Sequence, residues 1–357
     1  MKVLFIAPHL STGGMPAFLL KRIQALKQYT NIEIFVVEWK MYSPVFVVQR
    51  KQIQKLLGDN FIPLHGKYGF QQNITKICYD KNIDIVHIEE VPEGFDSGNP
   101  FPLEIQRELY DIKHPWKTIE TCHNIYFDPK ENKQVYPNGY ACVTPHHINS
   151  TFKDVPSAKS LISFPIDPSI QIKTSREDLL IKNGWRTTGE FHILNLGLWT
   201  SGKNQKYALE IAKHLYKKYG LTYIFHFVGN QAPNFQQYWE PLMSDLPPNI
   251  IVHGEKSNTD EFFGYADLML FTSTWECNPI VLKEAISNNT KIMAFNLDHY
   301  GDEYKGLITP LTGDLNTDVD KLIRDIHSPV VYSVDNLEGI KEFALKHEMF
   351  YKQLINE

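Results

Sequence analysis

Little cysteine, little net charge and no long apolar run constrain this 357-residue chain before any motif is sought. The four cysteines, Cys78, Cys122, Cys142 and Cys277, form no Cys-x-x-Cys pair. That excludes zinc-finger and dithiol redox motifs and reads as reduced thiols in a cytosolic protein. No run of about 18 apolar residues exists, so no membrane-spanning helix is expected. The opening run, Val3 to Ala7, is too short for a signal peptide. A net charge of −5 offers no basic face, which excludes nucleic acid as an expected partner. Internal repeats and low-complexity tracts are absent. What is present is a globular composition, 43% hydrophobic and 22% charged, long enough for two domains. The 18 Tyr and 21 Phe can stack on bases or sugars as well as fill a core.

The stretch Ser273 to Ile286 carries the most chemistry. An apolar run, Ala266 to Phe271, precedes it and reads as a buried strand; a short polar turn follows, then a helix entered at Asn278 or Pro279. Asn is a preferred N-cap and Pro a preferred first helical residue. Asn278, Pro279 and Ile280 mark the helix start, where backbone N–H groups lack intrahelical partners, the dipole is positive and an anion such as phosphate is stabilised. Glu276 lies in the turn before that start and Glu284 about two turns beyond it. Two carboxylates flanking an anion suit the hydroxyls of a sugar and a ribose.

The rest of the chain alternates strand and helix patterns. Val3 to Ala7 reads as a buried parallel strand, followed by a loop with Gly13 and Gly14 and a helix from about Met15 to Gln28 with Phe18, Leu19, Ile23 and Leu26 as its apolar stripe. The Gly-Gly loop lets backbone approach a ligand closely, although G-x-G-x-x-G is missing. Further strands are expected at 32–37, 83–88, 118–122, 141–144 and 161–163, with helices near 71–81 and 145–152. His123 and Asn124 follow the strand ending at Cys122, and ligands gather at strand carboxyl ends in open α/β sheets. His87 reads as core. Pro92 to Pro102 reads as a solvated loop, with Glu89, Glu90 and Glu93 as weaker candidates for acceptor hydroxyls. A second strand-and-helix series opens at His192 to Gly197, with strands at 223–229, 250–254 and 291–294 and a terminal helix over 336–356. Asp298, His299, Asp302 and Glu303 could pass for metal ligands but read as a solvated loop.

Glu276 and Glu284, eight positions apart behind a strand and a small-polar turn and followed by Ala-Ile, resemble the Glu-x7-Glu signature of retaining GT-B glycosyltransferases of the GT4 type. Ile83-Asp84-Ile85-Val86-His87 resembles the family's Asp-hydrophobic-hydrophobic-His strand, Phe227-Val228-Gly229-Asn230 its Val-Gly-x-Gly end, and Phe164-Pro165-Ile166-Asp167 its interdomain linker. Lys203 stands at the family's donor-diphosphate lysine, seen from Gly197. The arginine that usually accompanies it is replaced by Leu198, and lysine does not reproduce an arginine's bidentate fork.

The resemblance implies an α/β GT-B fold of two facing Rossmann-like domains with parallel sheets and a cleft. The acceptor domain would span 1–166 and the donor domain 167–335, with a helix over 336–357 crossing back to the first. It implies a retaining enzyme that moves a sugar from a nucleotide-diphosphate donor to an acceptor hydroxyl on a glycan, lipid-linked glycan or small molecule. Lys203 would steady the leaving group, Glu276 hold the sugar, Glu284 the ribose and His123 the donor sugar. Gly13 and Gly14 would contact donor phosphate or acceptor; His253, Gly254 and Glu255 would lie near the base. Neither cofactor nor metal is implied, and no Asp-x-Asp motif stands out as a metal clamp. The expected partners are a nucleotide sugar and a carbohydrate or glycolipid acceptor, in the cytoplasm and compatible with peripheral membrane contact. Two alternatives stay open: a UDP-sugar 2-epimerase-like isomerase, and a non-catalytic relative that binds a sugar nucleotide, which Leu198 keeps in view.

Overall fold

Short continuous apolar runs make strands buried on both faces, and each must be followed by a helix that covers the sheet and returns the chain to the same end. The computed structural model follows this logic twice. It describes residues 1–11, 13–40, 48–62, 64, 73–95, 100–167, 173–297, 299, 303–328, 330–332 and 337–357. The chain divides into one unit of Met1–Pro165 with Glu338–Glu357 and a second of Ile166–Leu337.

In the first unit seven parallel strands are ordered β3-β2-β1-β4-β5-β6-β7. They are β1 (Lys2–Ala7), β2 (Glu33–Glu38), β3 (Phe61–Ile62), β4 (Ile85–Glu89), β5 (Lys117–Cys122), β6 (Gly139–Cys142) and β7 (Ala158–Leu161). Helices α1 (Gly14–Tyr29), α2 (Val48–Leu57), α3 (Ile74–Lys81), α4 (Leu103–Leu109) and α5 (Pro129–Asn132) connect them. One face packs Leu4, Ile6, Phe35, Val37, Val86 and Ile88 into a common core. The strand order reverses between β1 and β4, which places a topological switch point at their carboxyl ends.

The second unit has six parallel strands in the order β10-β9-β8-β11-β12-β13. They are β8 (Phe191–Leu196), β9 (Tyr223–Val228), β10 (Ile250–Gly254), β11 (Leu268–Phe271), β12 (Lys291–Phe295) and β13 (Thr309–Leu311). Helices α6 (Arg176–Lys182), α7 (Gln205–Tyr219), α8 (Gln236–Trp239), α9 (Thr259–Tyr265), α10 (Ile280–Ser287) and α11 (Leu315–Ile326) complete it. The period of two sorts its residues. Ile193, Phe225, Leu268, Leu270 and Met293 join α7 and α11 on one face. Leu194, Met269, Phe271, Ile292 and Ala294 join α9 and α10 on the other. Here the order reverses between β8 and β11.

The last helix, α12 (Ile340–Asn356), belongs to the first unit. Phe343 meets Phe18 of α1 edge-on at 5.7 Å. The Tyr351 hydroxyl lies 2.8 Å from His87 Nδ1 beneath the sheet. A Cβ on Gly139 would come within 2.7 Å of Phe350, so α12 sits directly on β6.

Several boundaries differ from the sequence reading. The strand expected at 161–163 is β7, Ala158–Leu161, a half-exposed edge strand whose polar Lys159 and Ser160 hide its pattern. The helix expected over 145–152 is present over 145–151, and its larger part is a wide π turn, His147–Thr151. The terminal helix starts at Ile340 rather than near residue 336. The two-residue β3 and the whole of α2 and α11 carry patterns too short or too polar to have been singled out.

Candidate active site

At the switch point of the second unit, two loops are stitched together by backbone. Thr274 N–H donates to the Gly202 carbonyl at 2.9 Å, and the Thr272 hydroxyl to the Lys203 carbonyl at 3.0 Å. Beneath them, Asn195 of β8 donates its amide to the Leu270 carbonyl of β11 at 2.8 Å. The loop after β8 is pinned on its other side, with Gly197 N–H to Val228 O at 2.9 Å and Trp199 N–H to Asn230 O at 3.0 Å. This pinning explains Gly229: its φ is 150°, and a Cβ there would sit 1.9 Å from the Gly197 carbonyl oxygen. The stitching brings Lys203 and Glu276 into an ion pair, with Lys203 about one-third exposed and Glu276 nearly buried. Trp275 is 43% exposed and lays its indole against Gly202. Leu198, at the position of the missing arginine, turns its carbonyl to Gln205 Nε2 at 3.0 Å.

Helix α10 begins one residue later than expected. Pro279, not Asn278, is the N-cap, with φ −73° and ψ 101°, and its own side chain makes no cap. Proline has no N–H, so Pro279 contributes no donor to an anion. The first-turn N–H groups without an intrahelical partner are then those of Ile280 and Val281, while Leu282 N–H reaches the Pro279 carbonyl at 3.1 Å. Glu284 stands four residues past Ile280, about 6 Å along the axis at 1.5 Å per residue, and is half-buried. Next to it, Lys283 is fully buried and paired with Glu303.

In the first unit the Gly13–Gly14 loop follows β1, and Gly13 is the N-cap of α1 with φ 123°. Both glycines are exposed. The loop is anchored one side chain away: Glu38, at the end of β2, accepts from Leu10 N–H at 2.7 Å and from Arg50 Nη2 at 2.7 Å. Thr12 lies outside the described residues.

His123 follows β5, with its side chain 16% exposed. Its Nε2 is 3.5 Å from Glu89 Oε2, and its backbone N–H is 3.4 Å from Glu90 Oε1. Burial and the nearby Arg22 guanidinium hold its pKa down at about 3. His87 is fully buried.

The acidic residues offered for an acceptor are engaged within the first unit. Glu89 is the fully buried last residue of β4, paired with Arg22. Glu90 is pushed up to about 7 by burial while accepting from Val91 N–H at 3.0 Å. Glu93 pairs with Lys133 at 3.1 Å. Their position beside a Pro- and Gly-rich segment, partly outside the described residues, suggested solvent; β4 carries Glu89 inward instead, while Glu90 and Glu93, beyond its end, are half-buried. Arg22 was also missed, though its signal is legible: it falls four residues after Phe18 and four before Leu26, on the apolar stripe of α1.

Gly254, at the end of β10, accepts from Gly229 N–H at 2.9 Å. His253, beside it, closes a ladder across three strands. Nδ1 of His192 is 2.9 Å from Nε2 of His226, whose Nδ1 is 3.0 Å from Nε2 of His253. Trp185, Phe262 and Tyr265 flank the three rings. Burial holds all three imidazoles below their usual range, His192 and His253 at about 4, with Arg176 and Lys256 adding to the effect. The folded unit therefore refuses protons that the unfolded chain takes up near pH 6.5. Its stability is complete above that pH and declines as pH falls toward about 4. Thermal unfolding of the second unit followed from pH 7.5 to 5 should show a falling midpoint, and a His226→Phe variant a flatter profile; a midpoint independent of pH in the wild type would discard the neutral ladder.

Among the described residues no cluster of three or more His, Cys, Asp and Glu side chains is disposed to hold a metal ion. Asp298 and Asp302 lie outside them. All four cysteines are buried and none is in a disulfide, Cys277 included.

Comparison with known proteins places this geometry. Residues 177–325 match the family model of glycosyl transferases group 1. No curated protein matches the chain. Among solved structures, Anabaena Alr3699/HepE, in complex with UDP and glucose, aligns at TM-score 0.73 with 12% identity over 99% of each chain. A glycosyltransferase from Rickettsia africae ESF-5 aligns at 0.71 with 16% identity over 100% of this chain and 99% of the other. Sucrose-phosphate synthase from Thermosynechococcus elongatus aligns at 0.70 with 13% identity over 100% of both. At these identities the likeness is one of fold, the GT-B arrangement of two Rossmann-like domains with parallel sheets.

Proposed function

We propose, from the premise that this chain is a glycosyltransferase of GT-B fold with a group 1 domain over residues 177–325, that it is a retaining enzyme transferring a sugar from a nucleotide-diphosphate donor to an acceptor hydroxyl. The observation that carries the reading is the Lys203–Glu276 pair, set at the strand-order reversal of the second unit, with Glu276 in the turn before the start of α10. Developing charge on a departing diphosphate is stabilised by fixed donors already aimed at it. Lys203 and the first N–H groups of α10 supply such donors without a metal. Glu276 holds sugar hydroxyls and Glu284 the ribose. Leu198 removes one cation from this set, which leaves more of the task to Lys203 and to backbone.

The protein supplies no nucleophile in this reading. Attack comes on the face the leaving group departs from, with a donor phosphate oxygen taking the acceptor proton. In the first unit Gly13 and Gly14 contact donor phosphate or acceptor, and His123 the transferred sugar. His123 stays neutral at working pH and acts as a hydrogen-bonding group rather than a proton donor.

A thermal-shift series with UDP-, GDP- and ADP-sugars tests the reading, because a ligand bound to the native state raises stability by mass action. UDP-sugars come first, since Anabaena Alr3699/HepE was crystallised with UDP-glucose. Stabilisation by one donor, with release of its nucleoside diphosphate, is the expected result. No shift with any donor, or interconversion of sugar epimers in place of release, would sink it. Glu284→Ala should raise the dissociation constant of the matching nucleoside diphosphate about 10-fold, the worth of one charge-assisted hydrogen bond. Unchanged affinity by calorimetry would remove the ribose from Glu284.

A further inference from the structure

Beneath His123 lies a buried network. Arg22 and Glu89 are fully buried, and the Arg22 Nη1 is paired with Glu89 Oε1. The other carboxylate oxygen, Oε2, faces His123 Nε2 at 3.5 Å. A carboxylate engaged by a guanidinium only accepts, so His123 must carry its proton on Nε2. The same arginine settles the neighbouring imidazole in the opposite sense. Arg22 Nη2 donates to Thr121 Oγ1 at 3.2 Å, and that hydroxyl lies 2.7 Å from His87 Nε2. Arg22 Nη1 is itself 3.4 Å from that nitrogen. His87 Nε2 therefore accepts, and its Nδ1–H goes to the Tyr351 hydroxyl of α12 at 2.8 Å.

Packing holds these parts in place. The guanidinium carbon sits 4.6 Å from the centre of the Phe18 ring, and Phe18 meets the His123 ring edge-on at 5.3 Å. Among the described residues His123 Nδ1 has no hydrogen-bond partner. Burial and Arg22 keep the ring neutral, so that nitrogen keeps its lone pair.

We propose that Glu89, oriented by Arg22, is a positioning residue that fixes His123 in the Nε2–H tautomer, so that Nδ1 presents an acceptor to a substrate hydroxyl. The tautomer follows from this network alone; the substrate contact rests on the function proposed above.

Glu89→Gln tests it. Arg22 demands an oxygen at Oε1, which turns the amide NH2 of the new side chain toward His123 Nε2. That nitrogen can then only accept, and the ring moves its proton to Nδ1. Nitrogen-15 NMR of histidine-labelled protein, with His123 identified by the signals lost in His123→Asn, should show the Nε2–H form in the wild type and the Nδ1–H form in Glu89→Gln. With donor and acceptor roles exchanged at the substrate, kcat/KM for transfer should fall about 10- to 100-fold. The affinity for UDP, GDP or ADP, whichever the second unit prefers, should not change. A folded Glu89→Gln protein in which His123 remains Nε2–H overturns the proposal. Should that variant fail to fold, Arg22→Met/Glu89→Met removes both buried charges together, an exchange often tolerated; there His123 should lose its Nε2–H preference, and its retention would overturn the proposal equally. A tautomer exchange without any effect on turnover would keep the network and remove His123 from the substrate.

Discussion

Lys203→Ala should lower kcat for sugar transfer about 100-fold or more, because it removes the one side-chain cation assigned to the leaving diphosphate. A retaining transfer without a protein nucleophile depends on stabilising that charge as it develops, and helix N–H groups alone leave it less compensated. With the arginine that the resemblance leads one to expect beside the lysine, the loss would be shared; here Leu198 stands at that place, its carbonyl accepting from Gln205 Nε2. The substitution also strands Glu276, nearly buried, without its ion-pair partner. Some loss of stability follows, so the rate is to be read on folded protein, by release of nucleoside diphosphate under saturating donor. A wild-type kcat would remove Lys203 from the chemistry.

Glu276→Gln should lower kcat at least as much, about 100- to 1000-fold, while leaving nucleoside diphosphate affinity unchanged or several-fold tighter. The opposite signs come from one contact. Glu276 holds Lys203 in an ion pair and so competes with any anion for the same ammonium. A glutamine of equal shape releases the lysine to a diphosphate but binds sugar hydroxyls without the strength of a charge-assisted bond. Titration with the nucleoside diphosphate alone, set beside turnover of the full donor, separates the two terms. If both weaken together, Glu276 only orients Lys203 and does not reach the sugar.

The strand ends that bring these groups together were legible in the sequence because buried parallel strands announce themselves as short apolar runs. Leu268 to Phe271 and Phe191 to Leu196 stand near their expected limits, and the Gly13 loop and His123 fall directly after strands as the pattern required. What the pattern could not convey is pairing between distant side chains. Nothing in the spacing of Lys203 and Glu276 says that they meet; two stitched loops do that. The Arg22–Glu89 pair was hidden for the same reason, and Glu89 was misread as solvated because an acidic residue at a strand end is ordinarily exposed. The start of α10 was displaced by one residue because Asn278 suits the N-cap and Pro279 the first helical position by type, whereas the extended ψ of Pro279 leaves it just outside the helix. β3 escaped notice because two residues carry no period.

The placement of α12 orders how the chain comes together during its synthesis. Residues 338–357 complete the first unit, yet they follow all of 166–337 in the chain. A polypeptide emerging from the ribosome can finish the later-encoded lobe while the earlier one still lacks Phe343, Phe350 and Tyr351. Until they arrive, the His87 imidazole has no hydroxyl to meet and the surface around Phe18 stays open to water. Closure of the amino-terminal lobe therefore waits on residues made after the whole second unit, and the growing chain must carry that unfinished face, greasy and unsealed, for the time it takes to make some 170 further residues.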